Sequence, residues 1–88
     1  MSVIAVTGTG SLFGQAIIKS IKSSSFKNNT LVGTDYFSDT VGSYWVDINF
    51  VLPDILDDNI TDSIWLDNIL SIIQENKVEV IFIGVDFE

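Results

Sequence analysis

AVTGTGSLFGQAIIKS, residues 5–20, contains three of the six glycines of this 88-residue chain. It begins inside a continuous apolar run, Val3–Thr7, which is typical of a strand buried on both faces of a parallel sheet. From Leu12 to Ser23 the apolar residues recur at spacings of three and four, which predicts an amphipathic helix. The segment therefore predicts a strand, a glycine turn and a helix in immediate succession.

The rest of the chain continues this alternation. Further strands are predicted at Thr30–Asp35, at Ile48–Leu52 before Pro53, and at Val78–Ile83. A second helix is predicted over residues 61–76, with Thr61 or Asp62 as its N-cap. The expected fold is α/β, a three-layer Rossmann-like half with a parallel sheet of about four strands in the order 3-2-1-4, flanked by helices.

The helical spacing also predicts which side chains face the sheet. The apolar face of the first helix is expected to comprise Phe13, Ala16, Ile17 and Ile21. That of the second helix is expected to comprise Trp65, Leu66, Ile69, Ile72 and Ile73. Trp65 is thus a predicted core residue. Trp45 falls in an irregular stretch, where packing is favoured over a role in a ligand cleft.

The length and hydrophobicity of the chain bound its organisation. Eighty-eight residues form one domain, 1–88. Hydrophobic residues make up 47% of the chain, which favours a surface covered by more chain or by a partner. In the predicted order the fourth strand is an exposed apolar edge, which a fifth strand normally covers. We expect a fragment of a longer protein, or a homo-oligomer formed through this sheet edge.

The composition excludes several kinds of function. The sequence contains no cysteine and no histidine, which excludes Ser-His-Asp and Cys-His catalytic devices. All 12 acidic residues follow residue 34, and the net charge is −8, so no nucleic acid partner is expected. No apolar run approaches the roughly 20 residues that span a bilayer. We therefore expect a cytoplasmic location and no membrane partner.

The glycines Gly8, Gly10 and Gly14 spell G-x-G-x-x-x-G. Gly8 is expected to adopt a positive φ, Gly10 to let backbone approach a ligand, and Gly14 to let the helix lie close to the strand. Free N–H groups of Ser11, Leu12 and Phe13 would then face an anion, which no neighbouring acid in the sequence opposes. The alternative is a purely structural turn, and the sequence leaves both open. No Lys-Ser or Lys-Thr pair closes the motif as in a P-loop.

Several polar and turn residues follow predicted strands. Asp35 ends a predicted strand, and Pro53 and the segment 84–86 lie just past the ends of two others, as the glycine turn does. Because the carboxyl ends of parallel strands meet at one edge of the sheet, all are expected to converge where open α/β sheets bind ligands. Asp35 would either accept hydrogen bonds from ribose hydroxyls or cap the turn that follows it. When Asp35 is considered by itself, the turn cap is favoured.

Four segments together resemble a known family. They are VTGTGSLFGQAIIKSIK (6–22), LVGTDYFSDTVGSYWVD (31–47), FVLPD (50–54) and VEVIFIGVDFE (78–88). Their order is similar to that in the N-terminal, pre-ATP-grasp domain of carbamoyl-phosphate synthase-like ATP-grasp proteins. Each motif is weak alone, and the ordered set spans nearly the whole chain.

This resemblance implies a substrate-side domain of an ATP-dependent ligase of the carboxylate–amine class, without catalytic residues or metal ligands of its own. ATP and magnesium would belong to the remaining ATP-grasp domains, which would be its partners in cis or as a separate chain. The implied ligand-binding residues are Gly8, Thr9, Gly10, Ser11, Leu12, Phe13, Gly14, Thr34, Asp35 and Asp86.

Two other functions remain open. In an NAD(P)-binding domain of the extended short-chain dehydrogenase type, Gly8 and Gly14 have the required separation and Asp35 would hold the adenosine ribose. Ser11 stands where that pattern has its middle glycine, and the Tyr-x-x-x-Lys pair, which would normally fall beyond residue 88, is absent. An interaction module that uses its apolar sheet edge is the third possibility.

Overall fold

The computed structural model describes residues 2–25 and 28–85. Within these residues the sheet has four strands, all parallel, in the order β3-β2-β1-β4. The strands are β1 (Val3–Thr7), β2 (Thr30–Asp35), β3 (Ile48–Val51) and β4 (Val80–Phe82). The helices are α1 (Leu12–Lys22), α2 (Asp62–Glu75) and a short 3₁₀ turn (Gly42–Tyr44). The predicted fold class and strand order are confirmed.

The strand register brings the carboxyl ends of the strands to one edge of the sheet. β1 pairs with β2 from Val3 opposite Thr30 to Thr7 opposite Thr34. On its other side β1 pairs with β4, with Val6 opposite Phe82. We call this edge the rim. α1 begins shortly after β1 ends there, and α2 begins after the longer loop, residues 52–61, that follows the carboxyl end of β3.

Two apolar cores lie on the two faces of the sheet. The core beneath α2 contains Ala5, Val32, Leu52, Trp65, Ile69 and Ile72. The core beneath α1 contains Ile4, Val6, Ile18, Ile21 and Leu31. Neighbouring residues of β1 thus enter opposite cores, which is why the sequence of this strand is apolar without alternation.

The orientation of the helices differs in part from the prediction. In α1 the buried residues are Gly14, Ile18 and Ile21, whereas Phe13 is 74% exposed. The helix turns the bare face of Gly14 toward the strand end, which rotates Phe13 outward. In α2, Trp65 is buried as predicted, but Leu66 is 49% exposed.

Side-chain caps fix where both helices begin. The Ser11 hydroxyl accepts from the Gly14 N–H at 3.0 Å, and the Thr61 hydroxyl accepts from the Ile64 N–H at 3.2 Å. Such caps satisfy first-turn donors that have no partner within the helix. Thr61, rather than Asp62, is therefore the N-cap of α2. No helix in the described part of the chain has the length and apolar character needed to cross a membrane.

The edge strand β4 is short and partly uncovered. Val80, Phe82 and the following Ile83 are 45%, 43% and 50% exposed. β4 is the last strand of the sheet on this side, so within residues 2–25 and 28–85 it pairs only with β1. The predicted apolar edge is confirmed, although the strand is shorter than the predicted Val78–Ile83.

Candidate functional site

A cleft of about 300 Å³ opens at the rim, between the glycine turn, the end of β2 and the segment that follows β4. We call it the rim cleft. It is lined by Gly8, Gly10, Ser11, Asp35, Tyr36, Phe37, Thr40 and Val85. The sequence predicted this convergence for the glycine turn, Asp35 and the residues after β4. The volume is at the lower end of the range for small-molecule sites.

The glycine turn is held closed by its own hydrogen bonds. Gly8 has a φ of +64°, as predicted, and its carbonyl accepts from the Ser11 N–H at 2.9 Å. The carbonyl oxygens of Gly8 and Gly84 both lie within reach of the single Ser11 O–H donor, at 2.7 and 3.1 Å, with the Gly8 oxygen the nearer. The prediction of a free N–H at Ser11 is therefore wrong, because the tight turn brings the Gly8 carbonyl within its reach.

Two other glycines are needed where backbone meets backbone. A Cβ added at Gly14 would lie 2.0 Å from the Gly8 oxygen, and one added at Gly84 would lie 2.1 Å from the Thr7 oxygen. Both separations are far below normal van der Waals contact. The glycines therefore allow α1, the end of β1 and the chain after β4 to pack together behind the rim cleft.

The Asp35 carboxylate links the end of β2 to the glycine turn. Its Oδ2 accepts from the Gly10 N–H at 2.6 Å, and its Oδ1 accepts from the N–H groups of Tyr36 and Phe37, at 2.7 and 3.3 Å. Asp35 is only 7% exposed. The turn-capping interpretation is confirmed. The expectation that no acid opposes an anion at the glycine turn is wrong, since folding places Asp35 beside Gly10.

Gly10 approaches protein atoms at the bottom of the rim cleft. A Cβ at this position would lie 2.8 Å from the Thr40 methyl group and 2.9 Å from Asp35 Oδ2. Gly10 thus lies close to other parts of the chain, and its approach to a ligand stays a prediction. The Gly10 carbonyl accepts from the Gln15 side-chain amide at 3.1 Å.

Other predicted site residues lie outside the rim cleft. Thr9 and Thr34 are fully buried, and the Thr9 hydroxyl donates to Asn49 at 3.1 Å. Leu12 and Phe13 lie on the exposed side of the first turn of α1, at 86% and 74% exposure. Gly14 is buried beneath the turn, and Asp86 lies outside the described residues.

Three lining residues were not predicted: Tyr36, Phe37 and Thr40. The fourth new name in the lining, Val85, belongs to the segment 84–86 that was expected at the rim. Phe37 is 71% exposed, so a ring that is apolar on both faces borders the opening. The signal available in the sequence was the aromatic pair directly after the predicted end of β2. Residues at the carboxyl ends of parallel strands are candidates for a binding site even when their side chains carry no chemically reactive group.

A separate polar contact lies on the loop beyond β2. The Tyr44 hydroxyl donates to the Asp39 carboxylate, and this hydrogen bond raises the pKa of Tyr44 above its ordinary value of 10.0. Repulsion by the charge of Asp39 acts in the same direction. The neighbouring Trp45 ring lies 5.0 Å beneath the Lys19 ammonium group, a distance typical of a cation–π contact.

No protein-family model matches the chain, and no curated protein is significantly similar to it. Among the described residues there is no group of three or more histidine, cysteine, aspartate or glutamate side chains placed to bind one metal ion. The fold is that of a small α/β domain with a parallel sheet in the order 3-2-1-4. Its rim offers a buried carboxylate and an aromatic ring, an arrangement suited to holding a small molecule.

Proposed function

We propose that this chain is the N-terminal, substrate-side domain of an ATP-grasp ligase of the carbamoyl-phosphate synthase-like, carboxylate–amine class. In this proposal the domain performs no chemistry by itself. It holds the acceptor substrate at the rim cleft, while ATP and magnesium are bound by the other domains of the ligase. The observation that carries the proposal is that three of the ordered motifs each contribute residues to one cleft, namely Gly8, Gly10, Ser11, Asp35 and Val85.

The hydrogen bonds of the glycine turn support a substrate-side role over a phosphate site. The N–H groups of Gly10 and Ser11 already donate to Asp35 and Gly8. A nucleotide phosphate would therefore have to displace a carboxylate from one of them. The N–H groups of Leu12 and Phe13 remain, but the carboxylate of Asp35 close to the turn disfavours an anion there.

The coding sequence beyond residue 88 provides the direct test. A continuation that encodes an ATP-grasp fold is expected, and the complete protein should then form ADP only when a carboxylate and an amine are both supplied. In that protein, Phe37→Ala should raise the KM for the acceptor and leave the KM for ATP unchanged. A continuation without an ATP-grasp fold, or micromolar binding of ATP to the 88-residue chain, would refute the proposal.

One observation favours a second candidate, an NAD(P)-binding domain of the extended short-chain dehydrogenase type. Asp35 lies at the end of β2 and lines the same cleft as Gly8, as the ribose-binding acid of such a domain would. Titration of the chain with NADH, followed by the fluorescence of the nicotinamide, separates the two. Saturable binding in the micromolar range supports the dehydrogenase type, and its absence at millimolar NADH supports the ligase domain.

A further inference from the structure

We propose that the rim cleft binds an organic ammonium ion, a primary amine carried on a flat apolar body. Asp35 would supply the negative charge, and Phe37 the aromatic surface. The binding itself is argued from the cleft alone. The identity of this ligand as the amine substrate of a ligase rests on the proposed function.

Asp35 is a buried charge without a cationic partner among residues 2–25 and 28–85. At 7% exposure its carboxylate is largely removed from water, where an ionised group normally pairs with an opposite charge. Three backbone N–H groups donate to it, two to Oδ1 and one to Oδ2. These dipoles supply no net charge, and each carboxylate oxygen can accept two hydrogen bonds. Oδ2 therefore has one acceptor position without a partner among the described residues, and Asp35 lines the rim cleft.

The basic residues that the structure describes lie outside the lining of the rim cleft. Lys19 and Lys22 are in the last turn of α1, and Lys19 lies over Trp45. Lys77 follows α2. None of these three lysines lines the rim cleft. A cation brought by a ligand would thus meet no resident cation at Asp35.

The remaining acids strengthen the preference for a cation. Asp39 falls between the lining residues Phe37 and Thr40 in the sequence, and Asp54, Asp57 and Asp58 lie in the loop that follows the carboxyl end of β3. A cleft bordered by charges of one sign concentrates ligands of the opposite sign. An anionic ligand would meet this field and also the carboxylate of Asp35. The field and the buried charge therefore select in the same direction.

The body of the ligand is indicated by the apolar part of the lining. The ring of Phe37, the methyl group of Thr40 and the side chain of Val85 border the opening. An exposed aromatic ring attracts both an ammonium group above its face and a flat apolar group stacked on it. A cleft of about 300 Å³ admits a single ring with a short side chain.

Three probes of similar size and different charge test the proposal on the intact 88-residue chain. They are 2-phenylethylamine, 2-phenylethanol and phenylacetate, titrated at pH 7 and followed by amide NMR. We expect the amine to bind about tenfold more tightly than the alcohol, because both can donate a hydrogen bond to Asp35 and only the amine adds an opposite charge. Phenylacetate should bind most weakly. The amide signals that shift should be those of Gly10, Tyr36 and Phe37.

Two pairs of variants assign the binding to these side chains. Phe37→Ala should weaken the amine about fivefold, whereas Phe13→Ala, an equally exposed ring outside the cleft, should change nothing. Asp35→Asn should remove the preference for the amine over the alcohol, whereas Asp39→Asn should retain it. Asp35→Asn disturbs three backbone hydrogen bonds, so the fold of this variant is checked by circular dichroism. If the variant is unfolded, the comparison of Phe37→Ala with Phe13→Ala tests the proposal instead.

Several outcomes would overturn the inference. Equal binding of amine and alcohol, tighter binding of phenylacetate, or adenosine binding as tightly as the amine would each contradict an ammonium site. Loss of binding in Phe13→Ala would place the probe outside the cleft. These titrations contain no ATP and do not involve the coding sequence past residue 88. The ammonium site can thus fail while the ligase assignment stands, and the reverse.

Discussion

Replacing Gly14 by alanine separates a packing role from an ordinary helix position by the sign of the stability change. At an exposed position inside a helix, glycine to alanine stabilises by about 1 kcal/mol. At Gly14 the new methyl group would lie 2.0 Å from the Gly8 oxygen and 2.7 Å from the Gly8 carbonyl carbon. The obstacle is backbone, so no side-chain rotation relieves it, and α1 must move away from the turn.

The expected magnitude follows from three contributions. Overpacking of a close-packed site costs about 1–3 kcal/mol, and a backbone obstacle places this site at the upper end. Displacement of α1 also weakens the Ser11 cap on the Gly14 N–H, which contributes about 1 kcal/mol. The gain in helix propensity offsets about 1 kcal/mol. We expect Gly14→Ala to lower the free energy of unfolding by about 2–3 kcal/mol.

Urea denaturation followed by tryptophan fluorescence measures this change. With a slope of about 1 kcal/mol per molar urea for a domain of this size, the midpoint should fall by about 2–3 M. Ala16→Gly, at an exposed position of the same helix, is the matched control and should cost only about 1 kcal/mol. A Gly14→Ala variant more stable than the parent chain would refute the backbone contact on which the site geometry depends.

Two further predictions concern buried and exposed hydroxyl groups. Thr7 and Thr34 are opposite each other in register and fully buried, yet only the Thr7 hydroxyl has a partner, the Gly84 N–H at 2.9 Å. Thr34→Val should therefore raise the free energy of unfolding by about 1 kcal/mol, and Thr7→Val should lower it by about 1–3 kcal/mol. Urea denaturation measures both changes, and the opposite order would contradict the hydrogen-bond assignment. Asp39→Asn should lower the pKa of Tyr44 toward 10.0, because the neutral amide neither repels the phenolate nor accepts as strongly. Absorbance titration of the tyrosines measures it, and an unchanged titration would contradict the contact.

The strands could be predicted from the sequence because buried strands consist of short apolar runs, which are visible in the sequence. β1 enters both cores and shows no alternation, and its predicted bounds, Val3–Thr7, are those observed. The rotation of α1 could not be predicted in the same way. A pattern of apolar residues counts Phe13 as inward and Gly14 as neutral, whereas the glycine is the buried contact and the ring is exposed.

The rim cleft was predictable in position but not in its bonding. The convergence of the glycine turn and Asp35 follows from parallel strands alone. The bond from the Gly10 N–H to Asp35 joins residues 25 positions apart, and it depends on the path of a turn that no local pattern specifies. Thr34 shows the same limit, because strand alternation places its side chain inside the domain even though it immediately precedes Asp35.

The glycine turn is therefore required by the fold itself, whether or not a ligand binds at the rim cleft. Gly8 has the positive φ, Gly14 lies against the Gly8 carbonyl, and Gly84 lies against Thr7, so all three are required by contacts of the chain with itself. A glycine variant that loses ligand binding would consequently report a displaced helix rather than a lost phosphate contact. The Phe37 side chain is largely exposed, so Phe37→Ala removes the proposed aromatic surface of the cleft while leaving the turn intact. Recognition at this rim is thus tested at Phe37, and the integrity of the rim is tested at Gly14.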